Sequence, residues 1–204
     1  MHSNDHHKKA ELALKHAIDM GADQASVRFS NGEGFSVTAQ NGAIETVEDY
    51  KDQSFTVTVF LQKSIGSASS NNLDELAIKT TVDKAFSLSS LTASDDCNGL
   101  ADKEHMANKA IDLDLYHPWD LDIEKAKQIA IECEEAALES DNRVVNSEGA
   151  TVGSYITKSL FANSHDFIGY SEATGHTISC TAIAQQDGSM EMDYDYTSAR
   201  HHED

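Results

Sequence analysis

The sequence predicts an α+β chain, built as two helix-plus-antiparallel-meander units joined by a helix and a long linker. Three observations carry that reading. Apolar residues alternate with period two on both sides of Asn41-Gly42 and of Asp187-Gly188, dipeptides that favour two-residue hairpin turns. Segments of helical period precede each run of strands, at 5–20 and again from 120 to 140. Between the two runs, residues 93–120 hold no sustained period. The expected organisation is a first α/β-meander unit over 5–70, a helix and linker over 72–120, and a second unit over 121–200, a repeat of architecture rather than of residues.

Taken in order, Asn4 or Asp5 caps a helix from Asp5 to Met20 whose Ala10, Ala13, Leu14, Ala17 and Ile18 form one stripe, with Gly21 as its left-handed stop. Ala25, Val27 and Phe29 alternate up to a turn expected at Asn31-Gly32. Phe35, Val37 and Ala39 alternate up to Asn41-Gly42, and a strand over 43–50 follows. Phe55, Val57, Val59 and Leu61 form the most apolar strand of this half, expected at the centre of its sheet. Asn72 and Glu75 read as a capping box for a helix carrying Ile78, Val82, Ala85 and Phe86 and ending near Ser90.

After the linker and its one proline, Pro118, Asp120 or Asp122 opens a helix with a small-residue face, Ala126, Ala130, Cys133 and Ala137, that stops before Asp141. Strands are expected at 143–146, 154–162 and 166–171, then a hairpin over 176–196. In that hairpin Met190, Met192, Tyr194 and Tyr196 are expected to point inward and Glu191, Asp193 and Asp195 to form a wet acidic face on an edge strand. On that assignment Tyr194→Asp destabilises the fold by about 3 kcal/mol or more, and Asp193→Asn changes stability little and increases self-association.

Composition excludes some partners. With 15 Lys and Arg against 35 Asp and Glu, the formal charge is -20, which repels nucleic acid and anionic membrane surfaces. Cys97, Cys133 and Cys180 are odd in number and lack a Cys-x-x-Cys pair, so they suggest reduced thiols rather than a disulfide framework or zinc ribbon. Residues 1–9 lack the apolar core of a signal peptide, and no run approaches a membrane span, so a cytoplasmic protein is expected.

Candidate chemistry is sparse. Asn163-Ser164-His165-Asp166 sets a hydroxyl, an imidazole and a carboxylate side by side, but neighbours in a turn point apart, and turn chemistry accounts for all four. Gly32-Glu33-Gly34 lacks the third glycine and following helix of a dinucleotide fingerprint. His2, His6 and His7 lie at a terminus that frays. His201-His202-Glu203-Asp204 begins like a zinc-protease helix, yet no second His follows one turn later. His105, His117, His165 and His176 have no ligand spacing. No catalytic, cofactor-binding or metal residue is therefore assigned, and no cofactor is expected in this chain.

Several segments in order carry a resemblance. They are Ser67–Ser70 after a strand, Leu100-Ala101-Asp102-Lys103-Glu104, Asp112-Leu113-Asp114-Leu115-Tyr116-His117-Pro118, Asn146-Ser147-Glu148-Gly149, Ala162-Asn163-Ser164-His165 and Met190–Thr197. From about the first helix to Arg200 the chain resembles the amino-terminal half of the PmbA (TldE) branch of the TldD/PmbA family of cytosolic metalloproteases. The resemblance implies a parent of about twice this length, with the carboxyl-terminal metalloprotease-like domain absent here. It also implies a heterodimer in which zinc sits in a TldD-type partner, on a His-Glu-x-x-x-His helix and a Cys without counterpart in this chain. The implied work is proteolysis of unfolded peptides, including microcin leader maturation and antitoxin degradation, with a genetic link to DNA gyrase modulation. This chain is then a peptide-recognition and assembly domain, inactive alone and prone to self-association. The competing readings are a free-standing α+β interaction module unrelated to proteolysis and, with least support, a small-molecule enzyme using His165 or His176.

Overall fold

The computed structural model describes residues 3–204, with side chains from Asp5 onward. It is an α+β structure with the elements α1 (Ser3–Asp19), β1 (Gln24–Gln40), β2 (Ala43–Leu61), β3 (Ser64–Ser70), α2 (Glu75–Ser89), α3 (Ile123–Glu139), β4 (Val144–Asn163), β5 (Ile168–Gln186) and β6 (Ser189–Ala199). The strands form one six-stranded sheet in the order β3-β2-β1-β4-β5-β6, so each helix-led half contributes a meander and β1 meets β4 at the middle. Only a 3₁₀ turn over Lys103–His105 interrupts the linker.

Three connections are two-residue turns with both residues at positive φ: Asn41 and Gly42 at 53° and 73°, Gln62 and Lys63 at 49° and 66°, Asp187 and Gly188 at 51° and 82°. The middle one contains no glycine and escapes a sequence reading. Its backbone is held from outside: Gln62 N–H donates to Asp23 Oδ2 at 2.6 Å and Lys63 O accepts from Asp95 N at 2.9 Å.

The chain divides into two compact units assembled from interleaved segments, because the long strands run through both. The first comprises residues 1–31, 52–113 and 158–172. Its core packs Ala10, Ala13 and Ala17 of α1 and Ile78, Val82 and Ala85 of α2 with Val27, Phe29, Phe55, Val57 and Val59. Phe29 and Phe55 meet at 4.7 Å between ring centroids. Gly66 on β3 lies so close under α2 that a Cβ would stand 2.1 Å from Ala85 O, so only glycine fits. Gly21 takes φ 102° and stops α1, as expected.

The second unit comprises residues 32–51, 114–157 and 173–204. In its core Ala126 and Ala130 of α3 and Leu121 pack with Val37, Ala39, Ala150 and Val152. The small face of α3 is what allows close approach. Asp122 caps the helix by accepting from Lys125 N at 2.8 Å. Near the other end Glu134, 1% exposed, accepts from Asn41 N at 3.1 Å and from the Ser147 hydroxyl.

Several expectations are corrected. Asn31-Gly32 is no turn; β1 continues through it, and Gly34 serves close packing, since a Cβ there would meet Ser154 O at 2.5 Å. Residues 43–50 and 55–61 are one strand, β2, joined through exposed polar positions; 143–146 and 154–162 merge in β4, and 166–171 and the first arm of the hairpin merge in β5, through residues that are largely buried, Ala150, Val152 and Thr174 among them. The cap of α2 is Asp74, which accepts from Ala77 N at 2.7 Å, while Asn72 Oδ1 holds Asp74 N at 3.0 Å. The inward assignment of Met190, Met192, Tyr194 and Tyr196 is wrong. Both faces of β6 are wet, and these four side chains are 59–68% exposed. The pairs Cys180↔Asp195 and Ala182↔Asp193 put the acidic row on the face that carries Ile178 and Cys180 toward the core, and the Met/Tyr row on the opposite face.

Stability should follow these burials. Phe55→Ala is expected to cost about 3–5 kcal/mol and Glu134→Ala about 2–3 kcal/mol through the donors it strands. Tyr194→Asp should stay within about 0.5 kcal/mol of the parent. Urea unfolding of the three variants checks the order; Tyr194→Asp as the most damaging would restore the inward assignment.

Candidate functional site

Three places gather reactive or interactive groups. The first is the turn after β4, in the first unit. Asn163 organises it: buried, it accepts on Oδ1 from His165 N at 3.0 Å and Phe167 N at 3.2 Å. The Ser164 hydroxyl accepts from Ala25 N at 3.0 Å, and Ser164 N donates to Ala25 O at 2.9 Å. His165 Nε2 lies 3.3 Å from Gln24 Nε2, and Asp166 pairs with Lys103 at 3.1 Å. Hydroxyl, imidazole and carboxylate therefore each face a different partner, and no nucleophile-base-orienter line exists. A cleft of about 570 Å³ opens beside this turn, lined by His7, Glu11, Leu14 and Lys15 of α1 and by Phe167 and Ile168.

The second place is an imidazole stack in the second unit that has no spacing signal in the sequence. His202 stacks on Trp119 at 5.1 Å and on His201 at 5.2 Å, His201 leans on His117 at 5.1 Å, and Trp119 meets the edge of His176 at 5.4 Å. His176 is spent on structure, with Nδ1 3.0 Å from Ser154 Oγ and Nε2 2.9 Å from His117 O. Thr174 and Arg200 fasten the segment beneath it, Thr174 Oγ1 donating to Arg200 O at 2.8 Å and Arg200 Nη1 to Thr174 O at 2.6 Å. The histidines expected to be independent are thus brought together, as packing rings.

The remaining candidates disperse. His6 is buried on Phe29 at 5.2 Å, and burial lowers its pKa; His7 pairs with Glu11 at 3.2 Å; His2 lies outside the described residues. His105 is exposed in the linker and Gly32-Glu33-Gly34 lies within β1. Cys133 and Cys180 share the second core, where burial raises both thiols, Cys180 to about 11 with further contributions from Cys133 and Glu134. Cys97 is exposed.

The third place is the edge strand β6, paired on one side by β5 and open on the other. Every residue from Ser189 to Ser198 is exposed, and the strand presents two different rows of side chains.

A sheet with an open edge and side-chain clusters used for packing are the features of a scaffold. Residues 25–89 match the family model described as PmbA/TldA metallopeptidase domain 1, and residues 116–204 the one described as PmbA/TldA metallopeptidase central domain. A "Metalloprotease PmbA homolog" of Haemophilus influenzae is 36% identical over 200 residues, covering 95% of this chain and 44% of the relative. "Metalloprotease PmbA" of Escherichia coli is 38% identical over 196 residues, with the same two coverages, 95% and 44%. The chain belongs to the PmbA/TldD metallopeptidase family, and it spans less than half the length of these curated relatives.

Solved structures share the fold. A protein from Bacteroides thetaiotaomicron described as a candidate modulator of DNA gyrase superposes with a TM-score of 0.87 at 20% identity, over 100% of this chain and 47% of its own. TldE from Thermococcus kodakarensis superposes with a TM-score of 0.67 at 12% identity, over 94% of this chain and 43% of its own.

The family name implies a metal, and the residues present do not fit one. Both His176 nitrogens are engaged, His201 and His202 lie flat on each other with planes 9° apart, and no three His, Cys, Asp or Glu side chains among the described residues are grouped to hold an ion. Zinc analysis of the dialysed, tag-free chain is expected to give far less than one equivalent; a tightly held equivalent would overturn this. Thiol labelling near about pH 8 should reach Cys97 first and leave Cys133 and Cys180 slow, as read by mass spectrometry of the digested protein.

Proposed function

We propose that this chain is the peptide-recognition and assembly portion of a PmbA (TldE)-like metalloprotease subunit, acting with a TldD-type partner that holds the zinc. The observation that carries the proposal is the open β6 edge, which has no further strand beside it and exposed side chains on both faces. Strand addition to such an edge recognises an extended, unfolded peptide through backbone hydrogen bonds and needs no reactive side chain. The names of the curated relatives supply the proteolytic context. The substrates proposed are unfolded peptides, microcin leaders and a labile antitoxin among them, in the cytoplasm. No helix among the described residues is long and apolar enough to cross a membrane.

Amide hydrogen exchange tests the reading. Adding an unfolded, carboxymethylated polypeptide should slow exchange along 189–199 while the amides of α1 and α2 keep their rates. Protection confined to other elements, or none at saturating polypeptide, would refute it.

A further inference from the structure

The open edge is not chemically plain. Directly opposed residues in an antiparallel pair share a face, so Cys180↔Asp195, Ala182↔Asp193 and Ala184↔Glu191 align three carboxylates on one side of β6. Thr181↔Tyr194, Ile183↔Met192 and Gln185↔Met190 align the apolar row on the other, where the Tyr194 and Tyr196 rings stack at 6.4 Å. Asp193 Oδ1 accepts from Tyr194 N at 2.9 Å and Asp195 Oδ1 from Tyr196 N at 2.8 Å. An N–H donating to its neighbour's carboxylate is not spent on β5, so two amides of the free edge are covered by the acidic row itself. None of the ion pairs among the described residues involves Glu191, Asp193 or Asp195.

We propose that β6 selects an extended peptide in which Lys or Arg alternates with aliphatic or aromatic residues. The proposal rests on the peptide-recognition reading above and adds the chemical class of the ligand. A strand added to β6 places alternate side chains beside the acidic row and the others beside Met190, Met192, Tyr194 and Tyr196. A cation arriving on the acidic face replaces the amide as the carboxylate's partner, which frees Tyr194 N and Tyr196 N to bond the incoming backbone. A neutral strand also takes the two amides for its carbonyls but leaves the carboxylates without a partner, and an acidic strand adds like charge along the row. A second copy of β6, paired with its faces matched, sets carboxylates against carboxylates, so charge acts against edge-to-edge dimers and in favour of a basic partner. The overall charge of -20 extends the same preference to the approach of the ligand.

The test titrates the full 204-residue chain with three short labelled peptides. One alternates Lys with Val and Tyr, one replaces each Lys by Glu, and one keeps the basic composition with the lysines grouped at one end. Anisotropy should show the alternating basic peptide binding at least about tenfold more tightly than either control, with affinity falling as salt rises. The Tyr194 and Tyr196 amides should then become protected. Asp193→Asn combined with Asp195→Asn keeps a side-chain oxygen for the amides and removes the charge, so it should abolish the preference while leaving the urea midpoint unchanged.

Equal binding of the alternating and grouped basic peptides would reduce the effect to general charge attraction and overturn the inference, as would protection outside 189–199. Dimerisation through β6 in the absence of peptide would overturn it in favour of a second copy as occupant. Equal binding of all three peptides on β6 would sink the charge selectivity and leave peptide recognition standing, whereas binding of none would sink both.

Discussion

Turn length is the constraint from which the faces of this sheet follow. A two-residue loop always pairs an even-numbered residue with an odd-numbered one, and in an antiparallel ladder opposed residues share a face. Once Asp187-Gly188 closes the hairpin, Ile178 and Cys180 must share their side with Asp193 and Asp195, and the methionines and tyrosines are sent to the other. Two apolar rows that look like one amphipathic hairpin in the sequence therefore lie on opposite faces. The same rule, with the Gln62-Lys63 turn, sets Val57 against Ala68 and Val59 against Gly66 in the first core, where glycine gives α2 its room.

Polar groups at the far end of α3 complete the frame that the turns begin. Glu134 reaches from the helix to the amide of Asn41 in one hairpin turn and to Ser147 at the start of β4, whose hydroxyl also accepts from Gly149 N at 3.1 Å. Gln40 Nε2 donates to Ser147 O at 2.8 Å in the same group. A carboxyl group with these donors is tolerated in the core because each one is satisfied, and the arrangement fixes where the helix ends over the strands. The imidazole stack around Trp119 does comparable work with flat rings.

Much of this was legible in the residues. The alanine stripe of α1, the Gly21 stop, the helix after Asp122 and the Asn41-Gly42 and Asp187-Gly188 turns all announce themselves through local chemistry. The departures share one cause: tertiary pairing overrides the local signal. Asn31-Gly32 has a turn's composition inside a strand whose neighbours keep it extended, and Gln62-Lys63 turns without a turn's composition because Asp23 and Asp95 hold it. The face of Tyr194 follows from the length of the turn and not from its hydrophobicity. The stack of His117, His176, His201 and His202 leaves no trace in spacing, since the segments that carry it meet only in the fold.

The interleaving of the two compact units sets the order in which the chain matures on the ribosome. Leu160 and Ala162 belong to the core of the first unit, so that core stays unfilled until these residues have emerged. Until β4 is made, β1 carries Val27, Phe29 and Val37 along an edge with no neighbour on that side. At typical synthesis rates of about 5–20 residues per second the wait lasts seconds, long against hairpin formation. A nascent chain of this design presents an apolar strand to whatever binds such edges in the cell, and its acidity keeps sister chains apart meanwhile.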